Sequence, residues 1–219
     1  MNGLRRGVGR ICGHAAPMAW AVAAIAATVP QVLAASIHVD DYGAAGDGMN
    51  WDHAAIQRAL DAAGEGGTIA FGAGKTYVAC AELRPLQGQT ILGNGAVLKR
   101  CDAVTTRLSS DAKAGSTEIS VDRPEIFETG QSITPVKGRG GYKDGEYVVR
   151  HILTATRGKT LKFTEGLLQP YPAGSTVTVK FNQIQAPGGE SAFTIDGLIL
   201  DGNRDNNQVY QSWTDNMGI

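Results

Sequence analysis

The feature that most constrains this chain is a set of short apolar β-type runs that recurs after about twenty residues. The runs at 68–71, 76–79, 90–92 and 96–98 are divided, for the most part, by Gly or Pro, which excludes long strands; Ile69 to Ile91 is 22 residues and Tyr77 to Val97 is 20. Two successive pairs therefore look like copies of one unit. A period of this size marks a solenoid, in which parallel strands of consecutive coils stack about 4.8 Å apart. The expected fold class is mainly β.

The segment before the first repeat is different. Ile37 and Val39 suggest a short strand, and the turn cluster 43–48 follows it. Asp52 then precedes Ala54, Ala55, Ile56, Ala59, Leu60 and Ala63, with Ile56 and Leu60 one helical turn apart. The spacing predicts a single helix over 53–63, with Asp52 as its N-cap, the carboxylate accepting unpaired backbone N–H groups. Gly64, Gly66 and Gly67 end it.

The repeat breaks at Asp102 and resumes at 193–203. In between, the runs 117–121, 147–152, 159–163 and 175–179 alternate apolar and polar residues, as antiparallel strands with one wet face do. Residues 103–186 are read as a small antiparallel β-barrel or sandwich inserted in a solenoid loop. The Gly-rich stretch 137–145 is read as a long hairpin connection. The segments are then 1–35, 36–102, 103–186 and 187–219.

Residues 1–35 hold Arg5, Arg6 and Arg10, no acidic residue, and an uncharged Ala- and Val-rich stretch closed by small residues before Ser36. That order predicts a cleaved secretory signal. Its loss leaves 184 residues and moves the formal charge from −1 to −4. A weakly acidic chain without basic clusters argues against nucleic acid as partner, and no later apolar run reaches the roughly 20 residues a membrane helix needs. Of three cysteines, Cys80 and Cys101 remain, 21 residues apart on neighbouring expected coils. In an oxidising compartment they form a disulfide candidate, the alternative being two buried thiols. Nothing in the sequence sets an oligomeric state.

Several of these segments resemble a known family. Val39-Asp40-Asp41-Tyr42-Gly43-Ala44-Ala45-Gly46-Asp47-Gly48, then Asp52-His53-Ala54-Ala55-Ile56-Gln57, Gly66-Gly67-Thr68 and Gly74-Lys75-Thr76-Tyr77 are similar to the N-terminal signature of the pectate-lyase-like superfamily. Polygalacturonases, rhamnogalacturonases, alginate epimerases and tailspike-like depolymerases belong to it. Ile195-Asp196-Gly197-Leu198-Ile199-Leu200-Asp201-Gly202-Asn203 resembles one of its coils. The resemblance covers 37–101 and 190–219. It implies a right-handed parallel β-helix with the helix as its cap, and a secreted or periplasmic protein acting on polysaccharides, as a lyase or glycoside hydrolase of acidic polymers such as pectin. The alternatives are a non-catalytic glycan-binding or structural surface module, or an inactive fragment. The chain stops at Met217-Gly218-Ile219, where another coil strand is expected to start, so a truncated chain with its catalytic residues beyond Ile219 is the expectation.

Candidate chemistry is sparse. Gly72-Ala73-Gly74-Lys75-Thr76 invites a phosphate-loop reading, but the first Gly would fall at Ile69 and no helix follows. Glycosidic hydrolysis needs two carboxyls; Asp196 and Asp201 flank the late coil and are the catalytic candidates, against a reading as turn dipeptides with Gly197 and Gly202. Asn203, Arg204 and Asp205 are the substrate-binding candidates. The alternate oxygens from Asp201 onward suggest a loose Ca²⁺ or sugar contact, but lack the Gly and Glu of a helix-loop-helix Ca²⁺ site. The plainer reading is a turn in which Asn and Asp tolerate left-handed backbone. No spacing of histidines suggests a metal site, and no cofactor is evident apart from that Ca²⁺ reading.

Overall fold

The structure, a computed structural model, describes residues 36–136, 151–186 and 192–207. The expected signal, the 137–145 connection and the chain end lie outside the described residues.

Two parallel four-stranded sheets run along a column of coils. The first comprises β1 (Ile37–His38), β3 (Thr68–Ala70), β5 (Thr90–Leu92) and β13 (Thr194–Asp196), adjacent in that order. Its register places Ile37 beside Ile69, Ile69 beside Ile91 and Ile91 beside Ile195. One isoleucine per coil therefore points into the column. Ile69 and Ile91 are buried, and each such side chain contributes roughly 1.5–3 kcal/mol. The second sheet comprises β2 (Asp47–Trp51), β4 (Thr76–Ala79), β6 (Val97–Arg100) and β14 (Ile199–Asp201). Tyr77 pairs with Leu98 rather than with Val97, because Val97 faces Thr76. The repeat is thus one residue longer there than spacing alone suggests. A parallel bridge between Leu83 and Ile184 supplies a third side of the coil.

β2 was not foreseen, since its residues read as a turn cluster. It forms the first-coil edge of the second sheet, and Asp47 blunts that edge. The Asp47 carboxylate accepts the backbone N–H groups of Met49 and Asn50, both at 2.9 Å, donors a neighbouring strand would otherwise recruit. Those bonds also hold its carboxyl below the usual range.

Helix α1 (His53–Ala63) packs against β1, β3 and the turn Val39–Tyr42. Its buried Ala55, Ile56, Ala59 and Leu60 join the same core cluster as Ile69, Tyr77, Ile91 and Leu98. Asp52 stands at the N-cap position but does not cap the helix with its side chain. Its backbone is already helical, with ψ −9°, instead of the extended form that swings a cap side chain over the first turn. The carboxylate instead accepts N–H groups from Ala45, at 2.6 Å, and Val78, at 3.1 Å, tying the first turn to the second coil. At the other helix end, buried Gln89 donates to the carbonyls of Leu60 and Gly64.

Between β6 and Ile184 the chain forms an antiparallel six-stranded sheet in the order β7 (Thr105–Arg107), β12 (Thr176–Val179), β9 (Ser132–Val136), β10 (His151–Arg157), β11 (Thr160–Phe163) and β8 (Glu118–Ser120). The coil resumes earlier than Phe193, because Leu83 exchanges backbone hydrogen bonds with Gln183 and Gln185. The core of this sheet includes Val78, Cys80 and Cys101 from the outer face of β4 and β6 and the residue that follows each. The antiparallel unit therefore packs on the outside of the second parallel sheet, and the Cys80–Cys101 disulfide, with Cα atoms 5.0 Å apart, lies in that shared core.

Coil stacking is tightest at Gly93. A Cβ there would stand 2.2 Å from the Leu198 Cα and N, so only glycine lets the last described coil approach. Gly95, with φ +74°, faces open space. Gly93→Ala is expected to lower stability by about 2 kcal/mol through overpacking, and Gly95→Ala by about 1 kcal/mol through left-handed strain, measured as urea midpoints. Equal midpoints for the two variants would contradict this stacking.

Candidate functional site

The family-like motif residues form a structural lock. The Lys75 ammonium donates to Asp40 Oδ2 at 2.7 Å, the Tyr77 hydroxyl donates to Asp40 Oδ1 at 2.6 Å, and the Gly72 N–H donates to the Tyr77 hydroxyl at 2.9 Å. Burial works to raise the Asp40 carboxyl, but the hydrogen bonds from Lys75 and Tyr77 outweigh it and hold it below its ordinary value. Burial, reinforced by Asp40, pushes the Tyr77 phenol well up. Lys75 thus serves the fold, consistent with rejecting a phosphate loop.

The two coil carboxylates lie on different sheets. Asp196 stands exposed on β13 and Asp201 exposed on β14, on two different sheets. Asp201 Oδ1 accepts the Asn203 N–H at 2.8 Å, a local turn bond. Asn203 is buried with φ +48°, and its amide donates to the Arg100 carbonyl at 3.0 Å and to Asp102 Oδ1 at 2.7 Å. Asn207 likewise donates to the Cys101 carbonyl. Asn94, also left-handed at φ +51°, donates to the Phe71 carbonyl one coil below. These asparagines fasten each coil to its predecessor, Asn203 among them. Arg204 and Asp205 are exposed in the turn Arg204–Asn206. Asp102 Oδ1 also accepts the Asn206 amide. One oxygen each of Asp102 and Asp201 is thereby committed to N–H donors within the turn. Among the described residues no cluster of three or more His, Cys, Asp or Glu is placed to hold a metal.

A different concavity opens where the antiparallel unit meets the first coil. This cleft of about 440 Å³ is lined by Trp51 of β2 and by Val104, Thr105, Arg123, Glu125, Ile126 and Glu128 of the antiparallel unit. Trp51 is half-buried; Arg123, Glu125 and Glu128 are exposed. The Arg123 guanidinium is pinned by donation to the Thr105 carbonyl at 2.7 Å. Behind Trp51 lies buried His53, its ring 6.2 Å from the indole and its Nε2 3.4 Å from Glu128 Oε2. Burial depresses the His53 imidazole to about 4, outweighing the half-exposed Glu128 carboxylate. Sequence reading left these residues scattered, because more than 70 positions separate Trp51 from Arg123. The one available signal was a tryptophan in a chain with 6% aromatic residues.

Residues 36–134 match a family model described as rhamnogalacturonase A/epimerase, pectate-lyase-like. Over those residues, less than half of the chain, the protein is similar to that family. The pectate-lyase-like match continues past the coils into β7, β8 and the start of β9, further than the motif residues reach. Among solved structures, the surface adhesin PfbA of Streptococcus pneumoniae is 34% identical over 29% of this chain and 15% of that one, with TM-score 0.27. The Pseudomonas phage phi297 tailspike gp61 is 15% identical over 75% of this chain and 37% of its own, with TM-score 0.27. The gp54 tailspike of Acinetobacter baumannii bacteriophage AP22, solved with A. baumannii capsular saccharide, is 15% identical over 75% and 35%, with TM-score 0.26. This chain therefore spans between about a seventh and somewhat over a third of those proteins. No curated protein matches it. Among the described residues no helix is long and apolar enough to cross a membrane.

A pH dependence follows from His53 and Asp40. His53 titrates near 4 when folded and near 6.5 when unfolded, so the unfolded chain binds the extra proton and stability falls as pH drops between those values. Asp40, depressed in the folded state, adds a further loss as pH falls through its folded value. The melting temperature is expected to be flat near pH 7–8 and to fall progressively from about pH 6.5 to 4, the upper part of that slope disappearing in His53→Gln. An unchanged slope in that variant would remove His53 from the account.

Proposed function

We propose that this chain supplies the N-terminal part of an exported polysaccharide-active β-helix protein, a lyase or glycoside hydrolase of acidic polysaccharides whose catalytic groups are carried outside residues 36–207. The observation that carries the reading is the run Ile37, Ile69, Ile91 and Ile195 stacked coil on coil, three of the four inside the segment that matches the pectate-lyase-like model. In this reading α1 caps the open end of a right-handed column, shielding core and strand edges that an uncapped repeat would expose. The antiparallel unit is an inserted domain leaving and rejoining one side of the third coil. Fold alone does not set reaction.

A non-catalytic glycan-binding module is the second reading. It is favoured by the separation of Asp196 and Asp201 on two sheets and by the structural use of Asn203. The protein expressed from its complete gene, incubated with polygalacturonate and alginate, distinguishes the two. Retardation in polysaccharide gels with new reducing ends or unsaturated uronate absorbance is expected of the enzyme, and retardation alone of the module. Neither retardation nor cleavage across the panel would defeat both readings for acidic polymers.

Export is supported by the Cys80–Cys101 disulfide, a bond that persists in oxidising compartments. Both thiols of protein recovered from outside the cytoplasm are expected to resist alkylation until reduced. Replacing both cysteines by alanine is expected to cost about 3 kcal/mol for a loop of this size. Free thiols in the exported, unfolded protein would count against it.

A further inference from the structure

The cleft between the first coil and the antiparallel unit has no part in the polysaccharide reading, which rests on coil register. Its walls nevertheless combine three features. Trp51 offers a rigid aromatic surface at one side, half-buried and backed by the core cluster that contains Val78 and Cys80. Arg123 offers N–H donors from a guanidinium whose position is fixed by the Thr105 carbonyl. Glu125 and Glu128 offer exposed acceptors, Glu128 with one oxygen 3.4 Å from His53 Nε2.

The chemistry of the lining selects among ligands. An apolar ligand would strip water from Arg123 and both carboxylates and return no hydrogen bonds. A uronate or phosphate would meet two carboxylates against one guanidinium. A cation would answer the two carboxylates but not the remaining N–H groups of Arg123. Hydroxyl groups both donate and accept, so they satisfy Arg123 and the two glutamates together, and the C–H face of a sugar ring suits the indole. The volume of about 440 Å³ falls in the range of small-ligand clefts and holds one to two rings. A second hollow of about 350 Å³ shares Thr105 and Arg123 and adds Thr106, Arg107, Asp122 and Thr176, extending the path with hydroxyls, donors and one more acceptor.

We propose that the Trp51–Arg123–Glu125–Glu128 cleft is a binding site for a neutral saccharide, one ring stacked on Trp51 and the chain continuing toward Thr176. It goes beyond the acidic-polysaccharide reading and does not depend on it. Neutral hexaoses (cello-, xylo-, manno-, malto- and chitohexaose) and hexagalacturonate would be titrated into the chain by calorimetry. At least one neutral hexaose is expected to bind, with Trp51→Ala weakening it about tenfold or more, equivalent to roughly 1.4 kcal/mol, and Trp51→Phe retaining most of the affinity. Because Trp51 also packs on the core, the double variant Arg123→Met with Glu125→Gln, on the solvent side of the cleft, is expected to give the same loss at an unchanged melting temperature. Glu65→Ala, exposed just after α1 and lining neither hollow, should bind as the parent does.

Failure of every neutral hexaose, or affinity unchanged in the folded Arg123→Met, Glu125→Gln protein, overturns the site. Hexagalacturonate binding that ignores both variants would also overturn it, while leaving the acidic-polysaccharide reading intact. Neutral binding at Trp51 with no retention by polygalacturonate or alginate would uphold the site and defeat that reading.

Discussion

The column depends on register. Each coil sets one isoleucine of the first sheet directly against the isoleucine of the next, from Ile37 through Ile69 and Ile91 to Ile195, and sets Tyr77 against Leu98 and Leu200 in the second. A slip of one residue would turn every such side chain outward, because side chains in a strand alternate faces. Stacking of like on like is therefore strongly specified here, and the polar anchors add to it. Asn94 and Asn203, both in left-handed backbone, reach down to carbonyls of the coil below, and Gln183 donates to the Leu98 and Asp201 carbonyls from the third side.

That rigid column tolerates an excursion of about eighty residues between Cys101 and Gln183 because the exit and the return are clamped together. Buried Arg100 lies 4.5 Å over the Phe181 ring and donates to the Phe181 carbonyl at 3.1 Å, joining the last residue of β6 to the returning chain. Val78, Cys80 and Cys101 then give the antiparallel sheet an apolar floor that belongs to the coils. A crevice with walls from both parts follows at the rim, where Trp51 of the first coil meets Arg123 and Glu128. The position of that cleft is a consequence of where the excursion leaves the column.

The column and the helix were legible in the sequence because their signals are local or periodic: isoleucines 22 apart, and an apolar stripe over Ala55, Ile56, Ala59 and Leu60. What escaped was set by pairing at a distance. β2 was hidden by Gly48 and by the Asp47 turn, and β9 by Pro135, which pairs with Val177 inside the sheet. Asp52 looked like a helix cap, yet its carboxylate serves Ala45 and Val78, the second of them 26 residues away. The motif residues Asp40, Lys75 and Tyr77 proved to be a structural lock, which explains why they are informative about fold and silent about reaction. The cleft residues come from strands and turns that share no local pattern, so no reading of spacing could gather them.

Methyl contacts in the isoleucine stack test the central claim most directly. In a protein with ¹³C-labelled isoleucine methyls, the account predicts strong through-space cross-peaks between Ile69 and Ile91 and between Ile91 and Ile195, with Ile133 of the antiparallel sheet connected to none of them. Absent cross-peaks between Ile69 and Ile91, or contacts that place Ile91 beside Ile133, would contradict the stacked column and every inference drawn from it.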